Sequence, residues 1–240
     1  MVFRDWTRPQ DYAFTEGLDG AQWAWEFLRR NPAYQAEWQA FSATWQILEA
    51  QYGRPPNRDF CAWRLDPRAW VTAADCPQGD CRIDADKVLI ECALGARWGF
   101  YKFPPDPADD DPVGDGRLTW RELVEEVPEV GPADADWLGG DPARVALGFD
   151  LSLPLREQLE RAKRRLQVVR RRRQRSGALP PMSLRDQYAA LGTQLRLLDA
   201  EADGAAEKGF ASIGRDWSAL LTQAQQLRDG GYRRLVYLQR

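Results

Sequence analysis

Three stretches of the chain place an apolar residue every three or four positions, the period of an α-helix with one buried face. In the first, Tyr34, Trp38, Phe41, Trp45, Leu48 and Tyr52 follow at spacings of 4, 3, 4, 3 and 4. Asn31 can cap its start, Pro32 suits a first helical turn, and Gly53 with Pro55-Pro56 ends it. The second runs Leu155, Leu159, Ala162, Leu166 and Val169, with Ser152 as N-cap, Pro154 in the first turn, and Gly177 with Pro180-Pro181 as the stop. Such a stripe is expected to dock on an apolar surface. The third is Leu184, Tyr188, Leu191, Leu195 and Leu198, broken at Gly204. Residues 11–30, around AQWAWEFLRR, also read as helical.

Beyond Gly204, AAEKGFASIG gives a short helix or turn anchored by Phe210 and Ile213. Trp217, Leu220, Ala224 and Leu227 then mark a helix that stops at Gly230-Gly231, and YRRLVYL alternates like a short strand. Helix, glycine break, short helix, helix and strand is the order of a winged helix-turn-helix. The same order fits a three-helix cap that closes a core. Residues 60–150 are less regular. FCAWRLDPRAWV and KVLIECALGARWGFYKF hold short apolar runs that read as strands, PPDPADDDPVGDG reads as an exposed acidic loop, and TWRELVEEV reads as helical. The expected protein is mainly α. It has a helical N-terminal region (1–56), a small mixed α/β middle region with the acidic loop (57–150), and a basic helical region with a winged helix-turn-helix (151–240).

Charge changes the picture most. The chain carries a net −3, yet residues 101–150 hold 13 acids against 4 bases and residues 151–240 hold 18 bases against 9 acids. Nine bases fall within positions 161–175. A concentrated cationic surface binds polyanions, above all nucleic acid. The helix dipole accounts for one or two arginines at a C-terminus, not for four in a row. The candidate DNA contacts are Arg164, Arg165, Arg170, Arg171, Arg172, Arg173 and Arg175. To these the tail adds Lys208, Arg215, Arg228, Arg233 and Arg234.

Chemistry is thin by comparison. With no histidine among 240 residues, Ser-His-Asp triads, Cys-His dyads and His-containing metal sites are excluded. No phosphate-binding loop or dinucleotide fingerprint is present. Cys76 and Cys81 bracket four residues, but with Cys61 and Cys92 they match no zinc-site spacing, so four free thiols in a reducing cytoplasm are expected. No apolar run approaches 18 residues, and the first twelve residues lack a signal core. Eight of the eleven tryptophans precede residue 100, and Trp38 and Trp45 join a regular stripe, which favours core packing over base stacking. The expectation is a binding protein and not an enzyme, without cofactor, metal or membrane.

Two segments carry a resemblance. WAWEFLRRNPAYQAEW at 23–38 resembles the N-terminal signature of the RovC-like bacterial transcriptional regulators. LRLLDAEADGA at 195–205 and LRDGGYRRLVYL at 227–238 resemble the C-terminal helix-turn-helix domain of that family and of FseA-type activators, and ARWGFYKFPPDP is similar to the Trp-Gly and Asp-Pro elements between the two. The segment EKGFASIGRDW at 207–217 departs from the family by being shorter and less regularly helical. The resemblance implies a cytoplasmic, mainly helical DNA-binding activator that forms a homo-oligomer, with a hexamer as one such assembly. Its partners would be double-stranded DNA, further copies of itself and RNA polymerase. The alternative is an interaction or scaffold subunit whose amphipathic helices and basic face bind acidic partners.

Overall fold

In the computed structural model, residues 4–76, 81–101, 103–121, 144–178, 184–214 and 216–238 are described, with side chains from residue 190 onward in the fifth stretch. The chain divides into two compact units, Met1–Leu123 with Tyr188–Arg240, and Val124–Gln187.

The first unit begins with a 3-10 helix, Pro9–Gly17, followed by α1, Gly20–Leu28, and α2, Pro32–Tyr52. Asp19 and Gln22 close a capping box on α1. Asn31 accepts hydrogen bonds from the backbone of Ala33 and Tyr34, so α2 starts and stops where Asn31, Pro32 and Gly53 predict. Its aromatic stripe is core as expected: Tyr34 and Leu48 are fully buried, and Trp38, Trp45 and Tyr52 pack at the edges.

The middle region corrects several expectations. FCAWRLDPRAWV is not one strand. It holds α3, Phe60–Trp63, a 3-10 turn at Pro67–Ala69, and only then β1, Trp70–Thr72. β2 is Arg82–Asp84 and β3 Lys87–Leu89, in a three-stranded antiparallel sheet of order β1-β3-β2 with Trp70 opposite Leu89 and Val71 opposite Val88. KVLIECALGARWGFYKF is a strand only as far as Leu89; Ile90–Trp98 forms α4, which ends at Gly99 in the left-handed conformation that glycine tolerates. Six consecutive residues, Glu91–Ala96, are buried in this helix, and a short apolar stretch alone does not tell a buried helix from a buried strand. Because β3 pairs with β2 and runs straight into α4, Cys92 returns beside Cys81, and the two form a disulfide with Cα atoms 5.9 Å apart. The expected four free thiols are therefore two, Cys61 and Cys76.

The acidic tract is not a loop free in solvent. Pro104, Pro105, Pro107 and Pro112 are buried. The backbone carbonyls between them accept hydrogen bonds from Trp38 (Pro104, 3.2 Å), Tyr34 (Pro105, 2.6 Å), Arg29 (Pro107, 2.9 Å) and Trp25 (Asp109, 2.9 Å). A proline-rich strand has no ladder of its own to satisfy those carbonyls, so α1 and α2 supply the donors. The segment TWRELVEEV, expected to be helical, begins instead with Trp120 in an isolated bridge to Phe100, and its residues past 121 lie outside the described residues.

The C-terminal helices complete this unit. They are α6, Leu184–Ala202; α7, Glu207–Ile213; α8, Trp217–Gln226; a π-turn, Leu227–Gly231; and α9, Tyr232–Leu235. The second unit contributes α5, Leu155–Arg175. Leu191, Leu195 and Leu198 of α6 are buried with α1 and α2 in one core, and α9 packs on α1. YRRLVYL thus holds a one-turn helix followed by a turn and not the wing strand expected. Tyr232 and Leu235, three positions apart, are both buried, and α9 lies so close that a Cβ on Gly20 would clash with the Leu235 carbonyl. One-sided burial of these residues takes a helical period, which overrides the apparent alternation.

Candidate nucleic-acid interface

α5 gathers seven of the predicted contacts on one helix. Its N-cap position is Pro154 without a capping side chain; Ser152, predicted to cap, instead bonds the Asp150 carboxylate in the preceding turn. At about 100° per residue, Arg161, Arg164, Arg171 and Arg175 fall on one side of the helix, and Arg165, Arg170 and Arg172 on its flanks. Arg161, Arg164, Arg165, Arg170, Arg171, Arg172 and Arg175 are exposed. Arg173 is half-buried and donates to the Arg144 carbonyl at 2.8 Å.

The apolar stripe of this helix is largely exposed. Val169 is buried, but Leu155, Leu159 and Leu166 are 50%, 58% and 41% exposed. Regular spacing reports that a helix has an apolar face, not what covers it.

The tail residues are not gathered in the same way. Lys208 is exposed on α7 and Arg234 is exposed on α9. Arg228 is held inside the fold, bonded to Asp229 at 2.8 Å and Glu201 at 2.9 Å. The Asp229 hydrogen bond leads the causes that raise its pKa, against the opposing effect of burial. Arg233 donates to the Arg97 carbonyl and lies against Gly99, where a Cβ would come within 2.9 Å of its Nε. Both arginines fasten elements together. Arg215 lies outside the described residues. α7 and α8 are joined by residues 214–216, the length of a helix-turn-helix turn. α8 carries no charged residue, and its exposed side shows Ser218, Thr222 and Gln226.

A second arginine cluster carries no signal in the sequence. Arg29 and Arg30, at the end of α1, are buried with Glu26. Arg30 reaches Glu26 at 2.6 Å and Asp199 of α6 at 2.7 Å, and Asp199 also accepts from Tyr12 at 2.6 Å. Burial alone would lower the Arg30 pKa; the two carboxylates outweigh it and raise it. Burial, then Asp199, pushes the Tyr12 hydroxyl far up. A cavity of about 320 Å³ opens beside this network, and Arg4, Asp5, Asp11 and Asp110 face it as well. Three arginines and four carboxylates line it, so it has no preference for an anion. Glu91 in α4 is also buried: its Oε2 finds no hydrogen-bond partner, and burial pushes its pKa up to about 7 against the opposing effects of its own backbone and of Arg58.

Among the described residues, no cluster of histidine, cysteine, aspartate or glutamate could hold a metal, and no helix is long and apolar enough to cross a membrane. No curated protein and no solved structure matches the chain. Residues 5–65 match the family model of the proteobacterial transcriptional regulator-like domain. The matched stretch spans the 3-10 helix, α1, α2 and α3, and includes Glu26, Arg29 and Arg30 of the buried network. This similarity, over about a quarter of the chain, points to a role in transcriptional regulation.

Proposed function

We propose that the protein is a non-enzymatic, DNA-binding transcriptional regulator of the RovC-like kind that activates as a homo-oligomer and in which α5 supplies the affinity for DNA. The observation that carries this reading is the exposed cationic surface of α5 in a chain with a regulator-like N-terminal domain. Arginines spread around a helix can each meet a backbone phosphate, which gives affinity and little sequence information. Sequence choice would fall to the α7–α8 helix-turn-helix, where Ser218, Thr222 and Gln226 offer donors and acceptors to base edges. Arg228 and Arg233 are better placed to brace that unit than to enter a groove.

The test is duplex-DNA binding by fluorescence anisotropy between 50 and 200 mM salt. Replacing Arg161, Arg164, Arg171 and Arg175 with glutamine should weaken binding to all duplexes. It should also make the log–log salt slope shallower by about one unit per lost phosphate contact. A wild-type protein that ignores DNA, or a variant with an unchanged slope, removes the reading.

A further inference from the structure

We propose that the apolar seam of α5 is a docking site for an acidic amphipathic helix of a partner protein. Leu155, Leu159, Ala162, Leu166 and Val169 alternate at four and three residues, the a/d spacing of a coiled coil over more than two heptads. The three leucines are 41–58% exposed, so the seam is presented outward along most of its length. Its shape is specific. A strict a/d stripe is narrower than the broad face of a helix that packs into a globular core.

The flanking positions choose the occupant. At e and g the helix carries Arg156, Gln158, Lys163, Arg165, Arg170 and Arg172, five cations and no acid. A second copy of α5 would set cation against cation in both orientations. A parallel pair aligns g with e, and an antiparallel pair aligns like with like, so self-pairing is disfavoured. A lipid surface calls for a wide apolar face with Trp or Phe, and α5 has no aromatic residue. DNA has no ridge to fill the seam. A helix with leucine-type residues at a and d and glutamate at e and g satisfies both parts. The proposal does not rest on DNA binding, because Arg161, Arg164, Arg171 and Arg175 lie on the side of α5 away from the seam.

The experiment uses the full chain and two labelled 21-residue peptides. One has leucine at every a and d and glutamate at every e and g; the other has the same composition with its leucines out of register. Anisotropy at 0.15 M salt should show at least tenfold tighter binding of the in-register peptide. Leu159→Ala with Leu166→Ala should remove that preference while keeping helix propensity, with circular dichroism as the check on folding. Arg165→Gln with Arg172→Gln should weaken in-register binding severalfold and reduce its salt dependence. Equal binding of the two peptides, no binding, or an unaffected alanine variant overturns the proposal. So does wild-type dimerisation that the alanine variant abolishes, which assigns the seam to a second copy. Leucine-dependent binding to phosphatidylglycerol vesicles assigns it to a membrane and overturns the proposal too. The four-arginine variant used for DNA separates the two readings, since it should still bind the in-register peptide.

Discussion

Arg29-Arg30 and Arg170–Arg173 are both runs of adjacent arginines on helices, and they have opposite fates. The first pair ends an apolar helix, and its guanidinium groups are buried against Glu26, Asp199 and the carbonyls of the proline strap. In the second run Arg170, Arg171 and Arg172 are exposed, on a helix with cations around most of its circumference. The difference lies in what else the fold brings near. A buried guanidinium survives only with carboxylates in contact, and one that stays in water needs none. One cluster therefore joins α1 to α6, while in the other Arg171 and Arg172 are exposed to solvent.

The largest effect should come from removing one partner of the buried cluster. Asp199→Ala takes one of two carboxylates from the buried Arg30 and the acceptor from Tyr12. Breaking a buried pair from one side costs about 3–5 kcal/mol. Urea denaturation at pH 7 reads that directly. A cost below about 1 kcal/mol would mean that water replaces Asp199, and the contrast between the two clusters would shrink to one of exposure.

Glu91 sharpens the comparison from another side, as a buried carboxyl with one oxygen left without a hydrogen bond. Its pKa rises on folding from the ordinary 4.5 to about 7, chiefly through burial. Between those values the native state holds a proton that the unfolded chain has released. Its contribution to stability is therefore greatest below pH 4.5 and is lost as pH rises through 7. Glu91→Gln stays neutral throughout, so it should flatten stability over this window and stabilise the protein at pH 8 by roughly 2–3 kcal/mol. Parallel stability curves for wild type and variant from pH 5 to 8 would show that Glu91 is hydrated after all.

The helices were legible because their signals are local. Asn31, Pro32 and Gly53 bound α2 by themselves, and the leucine and aromatic periods are visible without knowing what they face. What was not legible depends on residues far apart. Asp199 pairs with Arg30 across 169 positions, and nothing near either names the other. The proline carbonyls at 104–109 look solvated until Trp25, Tyr34 and Trp38 are folded against them. YRRLVYL reads as a strand because alternation over a few residues fits either period, and contact with Gly20 decides for the helix. Of the candidate site, the α5 arginines were visible as a run. The structural roles of Arg228 and Arg233 were not, since basic character in the sequence does not reveal a carboxylate or carbonyl already in place.

The smallest effect is expected where the charge is densest. Arg171→Gln with Arg172→Gln removes two exposed cations from the last turns of α5. Each loses a favourable interaction with the helix C-terminus, worth a few tenths of a kcal/mol at such exposure. Each also relieves repulsion from Arg175, which is four residues from Arg171 and three from Arg172, by a similar amount. The two effects oppose one another, and both are screened by salt. The unfolding free energy should therefore move by no more than about 0.5 kcal/mol in low salt, and by less at 0.5 M. Urea denaturation at the two salt concentrations measures this. The near-neutral result is informative because a helix that keeps so many like charges without needing them for stability has them available for a ligand. A loss of 2 kcal/mol or more would instead make these arginines structural, as Arg30 is. The two clusters would then be one kind of feature, and the case for α5 as a binding surface would go with the distinction.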